Sequence, residues 1–221
     1  IVYGVGHQLW GDTLALTRKA FETPFGPVAC DTEFVDALAA PLGDIAYHGE
    51  LVHRDEHSIE FQLLYLKRWL GERPIRLVPI LLGGFHAILE SGRTPAEVAP
   101  LEALLGTLRE TEARLGGPTL HVAGIDLSHV GPRFGDPTPD PRILSEVELK
   151  DRAALEAALR GEAQGWYDTI ASHADSTRVC GWGATYAMLR GAVPGPGRLL
   201  HYEASSEEDG TVVTVAAAVW P

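Results

Sequence analysis

The stretch IVYGVG at Ile1–Gly6 decides the fold class, because a short apolar run that ends in glycine is typical of a buried strand. A second run of this kind, TLHVAGI, lies at Thr119–Ile125. The clearest helix, Ser58–Leu70, stands between the two, with apolar residues at helical spacing. Strands that alternate with helices predict an α/β fold, a single domain whose mainly parallel sheet is flanked by helices on both faces. Two final strands, Arg198–Ser205 and Thr211–Trp220, predict a C-terminal β-hairpin.

The other apolar segments extend this pattern. Asp31–Ala40 is predicted as a helix with Asp31 as its cap. Leu42–Val52 and Ile75–Leu82 are predicted as strands, and Pro79 marks the second of them as an edge strand or a bulge. Further helices are predicted at Ala96–Leu115, Leu144–Arg160, Ala163–His173 and Gly181–Leu189.

Length, charge and cysteine content limit the classes of function. At about 150 residues per domain, 221 residues predict one domain over 1–221. The 18 basic and 30 acidic residues give a formal net charge of −12, which repels phosphate backbones, so we expect no nucleic-acid partner. The chain has no run of about 20 apolar residues, so we expect no membrane span. Cys30 and Cys180 form no closely spaced pair, which favours a reduced, cytoplasmic protein.

Three polar clusters each follow a predicted strand. His7 follows the first strand, the run HRDEH at His53–His57 follows the strand near Ile45–Val52, and Asp126 and His129 follow the TLHVAGI strand. Ligands of open α/β sheets bind beyond the carboxyl ends of the strands, so we expect these clusters to converge in one crevice. Each residue taken alone also has an ordinary structural interpretation. His7 is typical of a strand end that bonds a loop carbonyl, and Asp126 of a turn cap.

Cys180 lies in RVCGWG at 178–183, directly before a predicted helix. A thiol at a helix N-terminus with an arginine nearby favours the thiolate, which is a nucleophile or a metal ligand. The alternative is a small buried hydrophobic residue, which is how free cysteines usually behave. Cys30 has no such setting, and we assign it to the core.

Five motifs together resemble one family. They occur in the order seen in the Memo family and are GVGH at Gly4–His7, ETPFG at Glu22–Gly26, DEHSIEFQL at Asp55–Leu63, IDLSHVG at Ile125–Gly131 and VCGWG at Val179–Gly183. That family is similar in fold to the LigB-type, class III extradiol dioxygenases, which use non-haem iron. In bacteria and archaea such proteins are often part of the AmmeMemoRadiSam system, which implies a radical-SAM protein as a partner.

The resemblance implies roles for individual residues. His7 matches a metal-ligating histidine and Cys180 a metal-ligating cysteine. The residues implied to transfer protons or to line the same cleft are His129, Asp126, His57 and Glu56. The implied cofactor is Fe(II), and copper is the alternative because a thiolate also suits it.

Some residues depart from the family pattern. The family's first metal histidine, in an HAGY-like motif one strand upstream of His7, has no counterpart here. Because the chain begins inside a predicted strand and without a methionine, we expect further sequence upstream of Ile1. Leu64, Leu127 and Trp182 replace a proline, an aromatic residue and an arginine that are common in the family.

Three functions remain open at this point. The first is a metal-dependent redox enzyme of the dioxygenase-like superfamily, with His7 and Cys180 near enough to hold one ion. The second is a binding module that uses the cleft for a small-molecule, peptide or protein ligand. The third is a hydrolase with Cys180 as nucleophile, His129 as base and Asp126 as the group that orients the base.

Overall fold

The computed structural model describes residues 1–9, 14–83, 85–192 and 195–221, which form two compact units, Ile1–Gly124 and Ile125–Pro221. The predicted mixed α/β class, a parallel core of the sheet and the C-terminal hairpin are confirmed. That the whole chain acts as one domain stays a prediction. Within the described ranges, no helix is both long and apolar enough to cross a bilayer.

The first unit begins and ends with strands of the same sheet. Its elements are β1 (Val2–Val5), β2 (Leu14–Leu16), β3 (Ala29–Cys30), α1 (Thr32–Ala39), α2 (Val52–Asp55), α3 (His57–Leu70), β4 (Arg76–Leu77), β5 (Pro79–Leu82), α4 (Phe85–Ser91), α5 (Ala99–Leu115) and β6 (Val122–Gly124). The sheet has the order β2-β5-β1-β6, in which β1 pairs in parallel with β5 and β6, and β2 is antiparallel. All four residues of β1 are buried, as its unbroken apolar pattern predicts.

Helix α3 packs against β1 and β6, and two glycines allow its close approach. A Cβ atom on Gly124 would lie 2.5 Å from the Ser58 carbonyl oxygen, and one on Gly4 would lie 2.6 Å from Cγ1 of Ile59. Because real Cβ atoms do not come so near, any larger residue would push the first turn of α3 away from the sheet. The glycines therefore determine where the N-terminus of α3 lies.

The predicted strand at Leu42–Val52 is wrong. Residues Gly43–Tyr47 form a 3₁₀ helix, and the chain then turns into α2. Amides in this segment bond to carbonyls three residues back, as His48 does to Ile45, so no strand partner is needed. Gly43 adopts a positive φ of 59°, which breaks an extended run. The run HRDEH accordingly follows a series of turns and not a strand.

The predicted strand at Ile75–Leu82 divides at Val78 into β4, which pairs with β3, and β5 in the larger sheet. Pro79 is the first residue of β5 and lies opposite Val2 in a central strand, so the interpretation as an edge or a bulge is also wrong. Proline is tolerated at this position because the first residue of a strand can do without its amide donor.

The second unit pairs three helices with an antiparallel sheet. Its elements are β7 (His129–Val130), α6 (Pro141–Leu159), α7 (Ala163–Ala171), α8 (Trp182–Ala192), β8 (Arg198–Ser206) and β9 (Val212–Val219). The strands have the order β7-β9-β8. Trp166 and Trp182 are buried where the helices meet, and the Trp166 indole donates to the Trp182 carbonyl at 2.9 Å. Trp182, noted above as a departure from the family pattern, is therefore a core residue.

His53 makes part of the stability of the first unit depend on pH. It is buried, its Nε2 lies 3.0 Å from the Ala15 carbonyl oxygen, and its Nδ1 has no hydrogen-bond partner among the described residues. Burial lowers the pKa of His53 to about 4, although the bond to Ala15 acts in the opposite direction. A histidine in an unfolded chain titrates near about 6.5. As the pH falls from 6.5 to 4, the unfolded chain takes up a proton that the folded chain does not, so acidification destabilises the fold.

We expect His53→Gln to remove this component. Wild-type protein should lose about 3 kcal/mol of unfolding free energy from His53 alone between pH 7 and pH 4, at about 1.4 kcal/mol per unit of pKa difference. The unfolding free energy of the variant, measured by urea unfolding between pH 7 and pH 4, should therefore fall by about 3 kcal/mol less than that of wild type. His201→Gln, at an exposed histidine of β8, is the control and should keep the wild-type slope. Equal slopes for His53→Gln and wild type would contradict the assignment.

Candidate metal clusters

The first cluster of possible ligands consists of His7, Glu56 and His57, and we call it the His7 cluster. His7 lies two residues beyond the carboxyl end of β1, whereas Glu56 caps the N-terminus of α3 and His57 is its first residue. One ligand atom from each side chain lies within 4.8 Å of the others. The close seating of α3 against the sheet brings its N-terminus to the end of β1 and so assembles the cluster.

Glu56 is the buried centre of the His7 cluster, with 5% of its surface exposed. Its Oε2 accepts from Nδ1 of His7 at 2.9 Å and from the His7 amide at 3.3 Å, while its Oε1 accepts from the Ser58 amide at 3.0 Å. Burial by itself raises the pKa of the Glu56 carboxyl, but the hydrogen bonds from His7 and Ser58 hold that pKa at about 2. Glu56 is therefore a carboxylate at neutral pH.

The two imidazoles of this cluster are more open to solvent than the carboxylate. Their rings lie parallel, with centroids 5.5 Å apart and 5° between the planes, and Nδ1 of His57 is 3.4 Å from Oε1 of Glu56. Phe61 contacts His57 edge to face at 5.5 Å. The side chains of His7 and His57 are 42% and 57% exposed, compared with 4% for Glu56. The arrangement places two nitrogen donors at the surface above a buried negative charge.

The second cluster consists of Asp126, His129 and Cys180, and we call it the Cys180 cluster. Its three ligand atoms also lie within 4.8 Å of one another. Asp126 is in the loop before β7, His129 is the first residue of β7, and Cys180 lies two residues before α8. Nε2 of His129 is 3.8 Å from Oδ2 of Asp126, and Sγ of Cys180 is 3.8 Å from the Asp126 carbonyl oxygen.

Backbone carbonyls determine the tautomer of His129. Its Nδ1 lies 2.9 Å from the carbonyl oxygen of Leu127 and 3.0 Å from that of Arg178. Because a carbonyl only accepts, Nδ1 carries the proton, and the lone pair is on Nε2, on the side of Asp126. The two carbonyls hold the ring in place, so the contribution of Asp126 is an electrostatic one at 3.8 Å.

Arg178 and Asp136 support this geometry and were missed as a pair from the sequence. Arg178 adopts a positive φ of 56°, and its guanidinium binds both carboxylate oxygens of Asp136 at 2.7 and 2.9 Å. The hydrogen bonds from Arg178 lower the pKa of Asp136. Arg178 also donates to the His129 carbonyl at 3.2 Å. The sequence marked Arg178 as a cation near Cys180, but nothing in it indicated that Asp136 is its partner.

All six residues predicted for the site occur in the two clusters. His7 lies with Glu56 and His57, and Cys180 lies with Asp126 and His129. The two clusters belong to different units. That a single ion contacts both His7 and Cys180, and that the histidines share one crevice, therefore stay predictions.

A mixed α/β fold with imidazole, carboxylate and thiol donors grouped in threes defines a candidate metal-binding protein. The chain belongs to the Memo family. The model of this family, described as Memo-like protein, matches residues 1–219. It is 34% identical over 187 residues to a MEMO1 family protein of Thermus thermophilus, covering 84% of this chain and 51% of that protein. It is 27% identical over 218 residues to one of Methanosarcina acetivorans, with 97% and 71% covered. The chain thus spans about half the length of the Thermus relative.

Proposed function

We propose that this chain binds a redox-active metal ion, with Fe(II) as the first candidate and copper as the second, and that it is an oxidoreductase of the extradiol-dioxygenase-like type. The observation that carries the proposal is the His7 cluster, in which a buried carboxylate lies beside two surface imidazoles. Histidine ligands combined with an anionic ligand suit non-haem Fe(II) chemistry, and the hydrogen bond between His7 and the buried Glu56 is of the kind that supports a metal-bound histidine. The motifs shared with the Memo family support the same assignment.

The residues of both clusters fit such an ion. In the His7 cluster, the hydrogen bond from Nδ1 of His7 to Glu56 leaves the lone pair on Nε2, which is the pattern of a histidine ligand backed by a carboxylate. In the Cys180 cluster, the tautomer of His129 likewise places its lone pair beside Asp126 and Cys180. A thiolate among these donors suits iron and copper better than magnesium or calcium.

The side chains have distinct proposed tasks. His7 and Cys180 would hold the ion, and bound Fe(II) would supply a binding site for O₂ and electrons for its reduction. His129 accepts or releases a proton at Nε2, and the negative charge of Asp126 stabilises the ring when it is protonated. Glu56 holds the ring of His7 in one orientation, and His57 lines the opening beside it.

The outer face of α3 favours a second candidate function, the binding of a peptide or protein. Phe61, Tyr65 and Trp69 recur at four-residue spacing and are 51%, 74% and 79% exposed. Phe61 contacts His57, so this aromatic face begins at the His7 cluster. Exposed aromatic rows of this kind are enriched at interfaces. A radical-SAM protein remains the partner that the family resemblance suggests.

Oxygen uptake tests the redox proposal. Chain loaded anaerobically with Fe(II), freed of excess metal and mixed with catechol in air should consume oxygen faster than metal-free chain. Catechol is the probe because an extradiol-type reaction opens such a ring. Equal rates with and without bound iron would overturn the redox assignment and favour the binding function of the α3 face.

A further inference from the structure

A buried carboxylate outside both clusters lies behind the Cys180 cluster. Asp151 of α6 is 2% exposed and accepts hydrogen bonds from three hydroxyls. Its Oδ1 is 2.6 Å from Oγ of Ser128, and its Oδ2 is 2.6 Å from Oγ1 of Thr214 and 2.9 Å from the hydroxyl of Tyr202. A carboxylate is expensive to bury, so one that is retained with three donors aimed at it indicates a specific task.

Ser128 connects this carboxylate to the ring of His129. It is fully buried, and each of its polar groups is bonded. Its amide donates to Oγ1 of Thr214 at 2.8 Å, its carbonyl accepts from the Thr214 amide at 2.9 Å, and its hydroxyl donates to Asp151. Ser128 stands between Leu127, whose carbonyl accepts from Nδ1 of His129, and His129 itself. A shift of Ser128 would therefore move both ends of that hydrogen bond.

We infer that Asp151 is a positioning residue for His129: through Ser128 it holds the Leu127 carbonyl against Nδ1 and so keeps the lone pair of the ring on Nε2. Two hydrogen bonds joined by backbone make this connection, which we call the relay. The Ser128 hydroxyl donates to the Asp151 carboxylate, and the Leu127 carbonyl, one residue before Ser128, accepts from the imidazole. The inference deepens the proposed function, because its value to the protein rests on Nε2 of His129 acting as a ligand or a base.

Tyr202 and Thr214 have different shares in this arrangement. Thr214 bonds both Asp151 and the Ser128 backbone, so it belongs to the relay. Tyr202 bonds Asp151 and Thr214 but not Ser128, and Arg152 lies over its ring at 4.8 Å from the centroid. Removing the Tyr202 hydroxyl should thus take away one hydrogen bond that stabilises the buried Asp151 carboxylate and leave the bond from Ser128 to Asp151 in place. Tyr202→Phe is therefore the matched control.

The test measures the tautomer of His129 directly, by two-dimensional ¹H–¹⁵N spectra of the imidazole nitrogens in metal-free chain. Wild-type protein should show the tautomer with the proton on Nδ1. Ser128→Ala and Asp151→Ala should shift the tautomer ratio by about two- to tenfold toward a proton on Nε2. This factor corresponds to the net free energy of one hydrogen bond. Asp151→Asn keeps an acceptor for Ser128 and should restore most of the wild-type ratio.

A merely structural role would give a different pattern. In that case Tyr202→Phe and Ser128→Ala would lower the urea midpoint and leave the tautomer unchanged in both, which would overturn the inference. The inference predicts that Tyr202→Phe lowers the midpoint alone, whereas Ser128→Ala changes both readouts. If Asp151→Ala does not fold, Ser128→Ala still decides the question. Because the spectra need neither metal nor turnover, their outcome is independent of whether the proposed redox function is correct.

Discussion

We expect iron binding to be lost when His7 or Cys180 is replaced by alanine. Changing a residue that only supports a ligand typically costs about 10- to 100-fold in metal affinity, so removing a ligand itself should weaken Fe(II) binding by at least about 100-fold. The loss should be seen as metal content after anaerobic dialysis against Fe(II) and removal of unbound metal. The effect is large because too few donors would remain in a site that already has open positions.

Matched substitutions separate ligand loss from general damage. Cys30→Ala removes the other cysteine, whose thiol donates to the Thr17 carbonyl at 3.4 Å and which belongs to neither cluster. His201→Ala removes an exposed histidine of β8. Both controls should retain wild-type iron content. If His7→Ala and Cys180→Ala retain it as well, neither residue is a ligand.

His129→Ala should retain the metal and lose turnover. General acid–base assistance contributes about 10²- to 10⁴-fold to a rate, and catechol-dependent oxygen uptake should fall by that factor. Asp126→Asn should cause a milder loss, because it removes the charge near Nε2 and leaves the two carbonyls that hold the ring. The measurement pairs iron content with oxygen uptake for each variant.

Iron content and oxygen uptake together distinguish a metal ligand from a residue that transfers protons. Loss of iron in His129→Ala equal to that in Cys180→Ala would make His129 a ligand and contradict its role in proton transfer. Wild-type metal content and wild-type oxygen uptake in His7→Ala, Cys180→Ala and His129→Ala would contradict the roles assigned to these three residues.

Local patterns predicted the members of the two clusters, but not always for the right reason. His7 was placed correctly because an apolar run followed by glycine has few alternatives to a strand end. The run HRDEH was expected after a strand, whereas it follows turns and reaches the site through the N-terminus of α3. Apolar content at Leu42–Val52 could not distinguish these cases, because turns that bond to their own neighbours need no strand partner.

The contacts that support His129 and Arg178 could not be predicted from the sequence, because they join segments that are distant along the chain. Asp136 meets Arg178 across 42 positions, and Asp151 meets Thr214 across 63. An acidic residue within a helical pattern, as Asp151 is in α6, is normally solvent-exposed, and no periodicity marks it as buried. The sequence predicted the residues that form the two clusters, and the structure adds the contacts of Asp136 and Asp151, which no local pattern marked.

The metal content of the wild-type chain tests the central claim most directly. Metal-free protein is dialysed anaerobically against equimolar Fe(II) and Mg(II), freed of unbound ions and analysed for both metals. Nitrogen, carboxylate and thiolate donors should retain about one iron per chain and exclude magnesium, which prefers oxygen ligands. A chain that retains no iron, or takes up both metals alike, would contradict the account.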